Sequence, residues 1–399
     1  MNAIQQPLKE RKIFFPNLDG LRTIAFLMVF IWHALKAPFD MLAIDNPLLQ
    51  KFFYFFLNGK TGVSIFFVLS GFLITYLMLA EIRLNGKVNI PRFYLRRSLR
   101  IWPLYFLILF LLFGVAPLVM QLLNFNWNEF DMKPAYYFLF LSNFDVLNIY
   151  LAHGTDLLPA TVTWSVAIEE QFYLIWPLLF SCTPTRFYKF VFPALLVVSY
   201  TYRALYANSS AVLNFHTLSV CGDLALGGWV AYLSFTKKGF VDFFIAQSKR
   251  FRFCVYFFSL IALYLTQFID NDFMNSFGRL FQTIFFAYII LDQNFSKGTS
   301  FKFSNSRFLT FWGRYTYGLY LWHPLVLMTI TLLLTKLFHF SLQNISTYLI
   351  VAASGFVGSM AISYFSYEFF ESYFLRMKNK LAFVKAQAPV KFFEMLKQQ

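Results

Sequence analysis

A chain of 399 residues in which 58% are hydrophobic and only 13% charged is too apolar for a water-soluble domain, where about a quarter of residues carry charge. The formal charge of +15 would suggest a nucleic-acid partner in a soluble protein. Here the positive residues gather on one side of a series of apolar segments, and no soluble domain is present to read bases, so no nucleic-acid partner is expected.

In chain order, Lys9, Arg11 and Lys12 precede a first apolar helix at about 20–37, which places the N-terminus in the cytoplasm. No small-residue cleavage site follows, so this helix is expected to be retained. Within it, Arg22 and His33 stand eleven residues apart. Eleven residues make nearly three turns, which puts both side chains on one face, about 16 Å apart along the axis. Ionisable groups in a membrane helix normally line a cavity or a substrate path; snorkelling to the two headgroup layers is the alternative. A second helix is expected at about 61–80, then a basic loop with Arg83, Lys87, Arg92, Arg96, Arg97 and Arg100, then a third helix at about 101–123 and an acidic loop with Glu129 and Asp131. Arg97 and Arg100 are neighbours on a helix surface. They can bind a phosphate or simply mark the cytoplasmic side.

The segment 134–150 is short for a span, since about 20 residues are usual, and is followed by a polar loop with Asp145, His153 and Asp156. Further spans are expected at about 163–182, 188–206, 211–234, 253–270, 273–292, 315–336 and 346–370. If 134–150 is re-entrant or interfacial, 26 of the 34 Lys and Arg residues fall on the cytoplasmic side. The expected architecture is therefore an all-α, polytopic membrane protein with about ten transmembrane helices and both termini cytoplasmic. Residues 1–376 form the membrane domain and 377–399 a basic cytoplasmic tail. Cys182, Cys221 and Cys254 form neither a close pair nor a metal-type spacing and read as packing residues.

The remaining polar residues in apolar context are Glu169 and Glu170, following Trp164 and Ser165, and His323, which follows Tyr320 and precedes Pro324. One of the two glutamates could orient the His33 imidazole and raise its basicity; an acidic pair in outer-leaflet water is the alternative. Asp223, mid-span, reads as a packing or ion-pair residue, and Glu371 as a group facing cytoplasmic water.

Together these residues resemble the membrane acyltransferase 3 family. The likeness runs through Asp19-Gly20-Leu21-Arg22 with His33 on the first helix, GVSIFFVLSGFLIT (62–75), FYLRRSLRIWPLY (93–105), WSVAIEEQFYLIWP (164–177), YGLYLWHP (317–324) and SYEFFESYFL (366–375). It covers nearly the whole chain in order. Ser372-Tyr373 stands where many members have Arg-Pro, and the chain resembles the stand-alone form without a fused SGNH-type esterase domain. The resemblance implies transfer of an acyl group, usually acetyl, from cytoplasmic acyl-coenzyme A to a hydroxyl of a cell-surface or lipid-linked carbohydrate, in the inner membrane and with no metal.

It also implies that Arg22 and His33 are the essential pair and that Arg97 and Arg100 form an RxxR donor-binding element. Beside Glu169 as a candidate catalytic carboxylate, Asp19, Trp164, Ser165, Glu170, Tyr320 and His323 are candidates for lining the acceptor path. A flippase or secondary transporter for a lipid-linked sugar, with the same polar residues along a transport route, is the alternative reading. A catalytically silent helper of a polysaccharide synthase is a third. The acceptor and the oligomeric state are not encoded in any motif.

Overall fold

The computed structural model describes residues 15–42, 46–56, 58–122, 132–154, 159–296, 299 and 301–380, and among them every regular element is helical. The basic N-terminal residues Lys9, Arg11 and Lys12, the acidic pair Glu129 and Asp131, Asp156 and the tail after Lys380 lie outside the described residues. The helices are α1 (Pro16–Met41), α2 (Pro47–Phe56), α3 (Gly59–Asn85), α4 (Ile90–Phe110), α5 (Ala116–Leu122), α6 (Pro134–Phe138), α7 (Ser142–His153), α8 (Thr163–Cys182) and α9 (Tyr188–Leu205). They continue with α10 (Ser210–Phe215), α11 (Thr217–Thr236), α12 (Lys238–Ala246), α13 (Lys249–Thr266), α14 (Asp272–Phe295), α15 (Arg307–Gly313), α16 (Thr316–Leu332), α17 (Ile345–Ser366) and α18 (Ser372–Lys380).

Local sequence accounts for several boundaries. Pro16 begins α1, where a missing amide hydrogen costs nothing. Asn58 caps α3 by accepting from the Thr61 amide at 3.2 Å, and Asn89 caps α4 through the Arg92 amide at 3.0 Å. Gly86 ends α3 at φ 75°, a left-handed conformation that a residue without Cβ adopts freely.

Among the described residues, six stretches are long and apolar enough to cross a membrane: Pro16–Met41, Pro47–Asn85, Ile90–Leu122, Ser210–Thr236, Thr316–Leu337 and Ile345–Lys378. The other expected spans form the helices α8, α9, α13 and α14, of 20, 18, 18 and 24 residues. These four carry ionic groups, and several of those are paired inside the protein. Arg279 of α14 forks onto Asp223 of α11, with contacts of 2.7 and 3.0 Å, so Asp223 is an ion-pair residue as its position suggested. Arg203 of α9 donates to the carbonyls of Leu213, Asn275 and Ser276. Arg252 at the start of α13 pairs with Asp292 at 3.0 Å.

α3 is the centre of the bundle, buried between α1 and α11. The approach to α11 is at backbone distance. A Cβ on Gly71 would run into the carbonyl of Leu224, and one on Gly227 into the carbonyl of Val68. Small residues permit such contact in membranes, where packing rather than water exclusion drives helix association.

The segment 134–150 is not one helix. α6 has 5 residues and α7 has 12, separated by a turn in which Phe140 takes φ 55°. Twelve residues rise about 18 Å, short of a hydrocarbon core of about 30 Å. Two readings change here. Asp145 is buried in α7, where it accepts from the Lys133 amide at 3.1 Å, rather than lying in a polar loop. Glu371 is buried and accepts from Ser366 at 3.1 Å, rather than facing water. Of the cysteines, Cys182 and Cys254 are exposed at the surface of the bundle and Cys221 is half-buried, so the first two are not interior packing residues.

Candidate active site

Arg22, Arg97 and Arg100 converge on one cavity of about 100 Å³. α1 supplies Arg22, which donates to Asp19 one turn earlier at 2.5 Å. α4 supplies Arg97 and Arg100, about two and three turns beyond the Asn89 cap, which sinks them into the bundle. Arg97 lies over the rings of Tyr173 at 5.3 Å and Phe93 at 5.8 Å. Neither Arg97 nor Arg100 has an ion-pair partner among the described residues. Arg96 differs, because it pairs with Glu81 at 3.0 Å while Glu81 also accepts from the Asn89 amide. Arg96 therefore ties α3 to α4, leaving its two neighbours to face the cavity.

α8 supplies the opposing polar wall. The chain before it, with Thr161 and Thr163 fully buried, starts the helix inside the protein, so Ser165 and Glu169 enter the same cavity. Glu169 accepts from Ser70 of α3 at 2.6 Å and from Tyr173 at 3.0 Å. Ser165 and Tyr320 exchange a hydroxyl hydrogen bond of 2.7 Å, and Tyr320 donates to the Val162 carbonyl at 3.0 Å. Leu69, Leu73, Ile74, Val63, Phe66 and Phe67 of α3 complete an apolar side. The cavity is thus a slot lined by three arginines, by Glu169 and by the hydroxyls of Ser70, Ser165, Tyr173 and Tyr320.

Tyr320 lines this slot and also touches His323, ring centroids 5.9 Å apart. His323 is completely buried on α16, and its Nε2 lies 3.3 Å from Nδ1 of His33. His33 is half-buried, with Nδ1 also 2.9 Å from the carbonyl of Val29. His33 and His323 are not among the cavity's lining residues; they stand beyond Tyr320.

The structure therefore sorts the residues singled out from the sequence. Arg22, Arg97, Arg100, Ser165, Glu169 and Tyr320 share the cavity, and Asp19 reaches it through Arg22. The carboxylate expected beside His33 is bound instead to Ser70 and Tyr173, and the ring on His33 is His323. Trp164 packs between Phe67 and Phe215 in the core. Glu170 accepts from the Trp102 indole at 2.9 Å, away from the slot. Sequence reasoning missed Ser70 and Tyr173. A serine in an otherwise apolar run and a tyrosine one turn after Glu169 were the available signals. Among the described residues, no three His, Cys, Asp or Glu side chains are grouped to hold a metal ion.

Comparison with known proteins bears on the same residues. The acyltransferase 3 model, described as an acyltransferase domain, matches residues 15–364. A Staphylococcus aureus strain COL protein, whose name marks it as only a candidate O-acetyltransferase, is 28% identical over 343 residues, covering 81% of this chain and 52% of that protein. The peptidoglycan O-acetyltransferase OatA of Listeria monocytogenes is 26% identical over 406 residues, covering 94% of this chain and 60% of its own length. The chain spans little more than half the length of these relatives. No solved structure matches. A family match that runs from the start of α1 to the end of α17 encloses the arginine slot and both histidines, and the chain belongs to the acyltransferase 3 family.

Proposed function

We propose that this protein transfers an acetyl group from cytoplasmic acyl-coenzyme A to a hydroxyl of a cell-surface or lipid-linked carbohydrate. The observation that carries the reading is the slot itself: three arginines lead, by way of Tyr320, to a histidine that is half open to the surroundings. Coenzyme A is too anionic to cross a bilayer. Its phosphates would stay with Arg97 and Arg100, while the thin pantetheine arm enters past Arg22 toward Ser165 and Tyr320. Glu169 lies in the donor slot in this reading, where its charge offsets that of the two arginines. His33 would take the proton of the acceptor hydroxyl as its oxygen attacks the thioester carbonyl, a role typically contributing about 10² to 10⁴-fold. That proton then leaves with the thiolate. An acyl-histidine relay is the other route open to the same residue.

The membrane arrangement proposed with it has about ten spans, with both termini at the cytoplasmic face of the inner membrane. Residues 1–376 form the catalytic domain and 377–399 a basic tail. The acceptor class is supported by the relatives' names, which include a peptidoglycan O-acetyltransferase.

His33→Ala should abolish transfer from acetyl-coenzyme A while the protein remains folded in the membrane, and cells carrying it should lose an acetyl-sized mass from their surface glycans. Wild-type glycan acetylation in the variant would remove His33 from the chemistry. Translocation of a lipid-linked sugar without thioester consumption would favour a transporter instead.

A further inference from the structure

Beside His33 stands a second imidazole whose contacts dictate where its protons are. Nδ1 of His323 lies 3.1 Å from the carbonyl of Leu319, one turn earlier on α16. A carbonyl only accepts, so this nitrogen carries the hydrogen and Nε2 carries the lone pair. The lone pair is directed at Nδ1 of His33, 3.3 Å away. That nitrogen also faces the carbonyl of Val29 at 2.9 Å. It too must carry a hydrogen, shared between Val29 and His323. With both rings neutral, one assignment satisfies all three contacts: hydrogen on both Nδ1 atoms, and the basic lone pair of His33 on Nε2.

We propose that His323 is a positioning residue for acyl transfer, holding His33 in the tautomer whose Nε2 is the base and accepting from Nδ1–H when His33 becomes protonated. The inference rests on the acyltransferase reading above. As the hydroxyl O–H bond breaks, its proton moves to Nε2 of His33 and the oxygen forms the new bond to the thioester carbonyl carbon. The His33 Nδ1–H···Nε2 bond to His323 then becomes charge-assisted and strengthens. When the carbon–sulfur bond breaks, the proton passes from Nε2 to the departing thiolate and His33 returns to its starting state. His323 is neither consumed nor in contact with substrate.

The packing suits this task. The His323 ring is completely buried, held edge-on by Phe26 at 5.8 Å and Phe30 at 6.2 Å from α1 and by Tyr320 from its own helix. Pro324 follows it and cannot donate to the Tyr320 carbonyl. The freed Tyr320 carbonyl is the neighbour of the Leu319 carbonyl that His323 Nδ1 meets.

The test uses the full chain in nanodiscs, with release of coenzyme A thiol from acetyl-coenzyme A in the presence of soluble peptidoglycan fragments. Gln can place an acceptor oxygen where Nε2 of His323 lies, whereas Asn reaches only the Nδ1 position. His323→Asn and His323→Leu should lower kcat by roughly 10- to 100-fold, the worth of one hydrogen bond to a charged group, with the KM for acetyl-coenzyme A changed less than about twofold. His323→Gln should restore most of kcat. Equal kcat in the Asn and Gln variants, or wild-type kcat in the Leu variant, would overturn the assignment and leave His323 a packing residue. His33→Ala is measured in parallel. If it releases thiol as fast as the wild type, His33 is not the base and this inference falls, whereas no thiol release by the wild type itself would overturn the acyltransferase reading and this inference with it.

Discussion

Among the four arginines in the run that enters α4, neighbours in sequence have different work. Arg96 is held by Glu81, whose other oxygen takes the Asn89 amide, so its charge is spent on joining α3 to α4. Arg97 and Arg100 face the slot without an ion-pair partner among the described residues. Arg97→Ala and Arg100→Ala should each raise the KM for acetyl-coenzyme A about tenfold, the order of one charged hydrogen bond, with a much smaller change in kcat. Lys should rescue only in part, because an ammonium cannot fork onto a phosphate as a guanidinium does. Arg96→Ala should leave that KM unchanged and lower the thermal midpoint instead. Donor titrations and melting curves on the same preparations separate the two outcomes. An unchanged donor KM in both slot variants, with collapsed kcat, would move these arginines from binding to chemistry.

At the scale of helices, two kinds of contact hold α11 in place. One is the backbone approach of Gly71 and Gly227. Replacing either by Val requires α3 and α11 to move apart, and overpacking of this kind typically costs about 1–3 kcal/mol. The slot shares α3 through Ser70, so activity should fall together with stability in these variants. The other contact is the buried Arg279–Asp223 fork. Removing one partner leaves a charge without compensation, and Asp223→Ala should destabilise by about 3–5 kcal/mol. Replacing both residues by apolar ones of similar volume should recover much of the loss. A double variant as unstable as the single one would show that the pair specifies the packing rather than merely offsetting its own burial.

For the whole molecule the decisive matter is which side of the membrane each helix end faces. Ten crossings require that α6 and α7 leave the chain on the side where they found it. Single cysteines at Lys133 and His153, both exposed, in a cysteine-free background should both react with an impermeant maleimide on intact cells. Reaction at Lys133 alone, with His153 labelled only after lysis, would send the later helices through the membrane in the opposite sense. Glu169 of α8 and His323 of α16 would then enter from the opposite face, while Arg22, His33, Arg97 and Arg100, which precede α6, would keep their sides.

Composition and spacing were enough to establish a helical membrane protein, to place Arg22 and His33 on one face of α1, and to mark the arginine run, Glu169 and His323 as out of place in apolar sequence. Helical periodicity and the cost of charge in hydrocarbon are local properties, legible one segment at a time. Sequence order also carried the family resemblance, which the match over residues 15–364 bears out. Partnership was not local. Glu169 and His323 lie 136 and 290 residues from His33 along the chain, and nothing in their own segments tells which will meet it. The pairing follows from the rotation of α8, which turns Glu169 toward Ser70 and Tyr173, and from the packing of α16 on α1, which brings the second imidazole against the first. Packing between distant helices decided which polar side chains share a cavity, and a helix's own sequence cannot encode that rotation because its neighbours supply half of every contact.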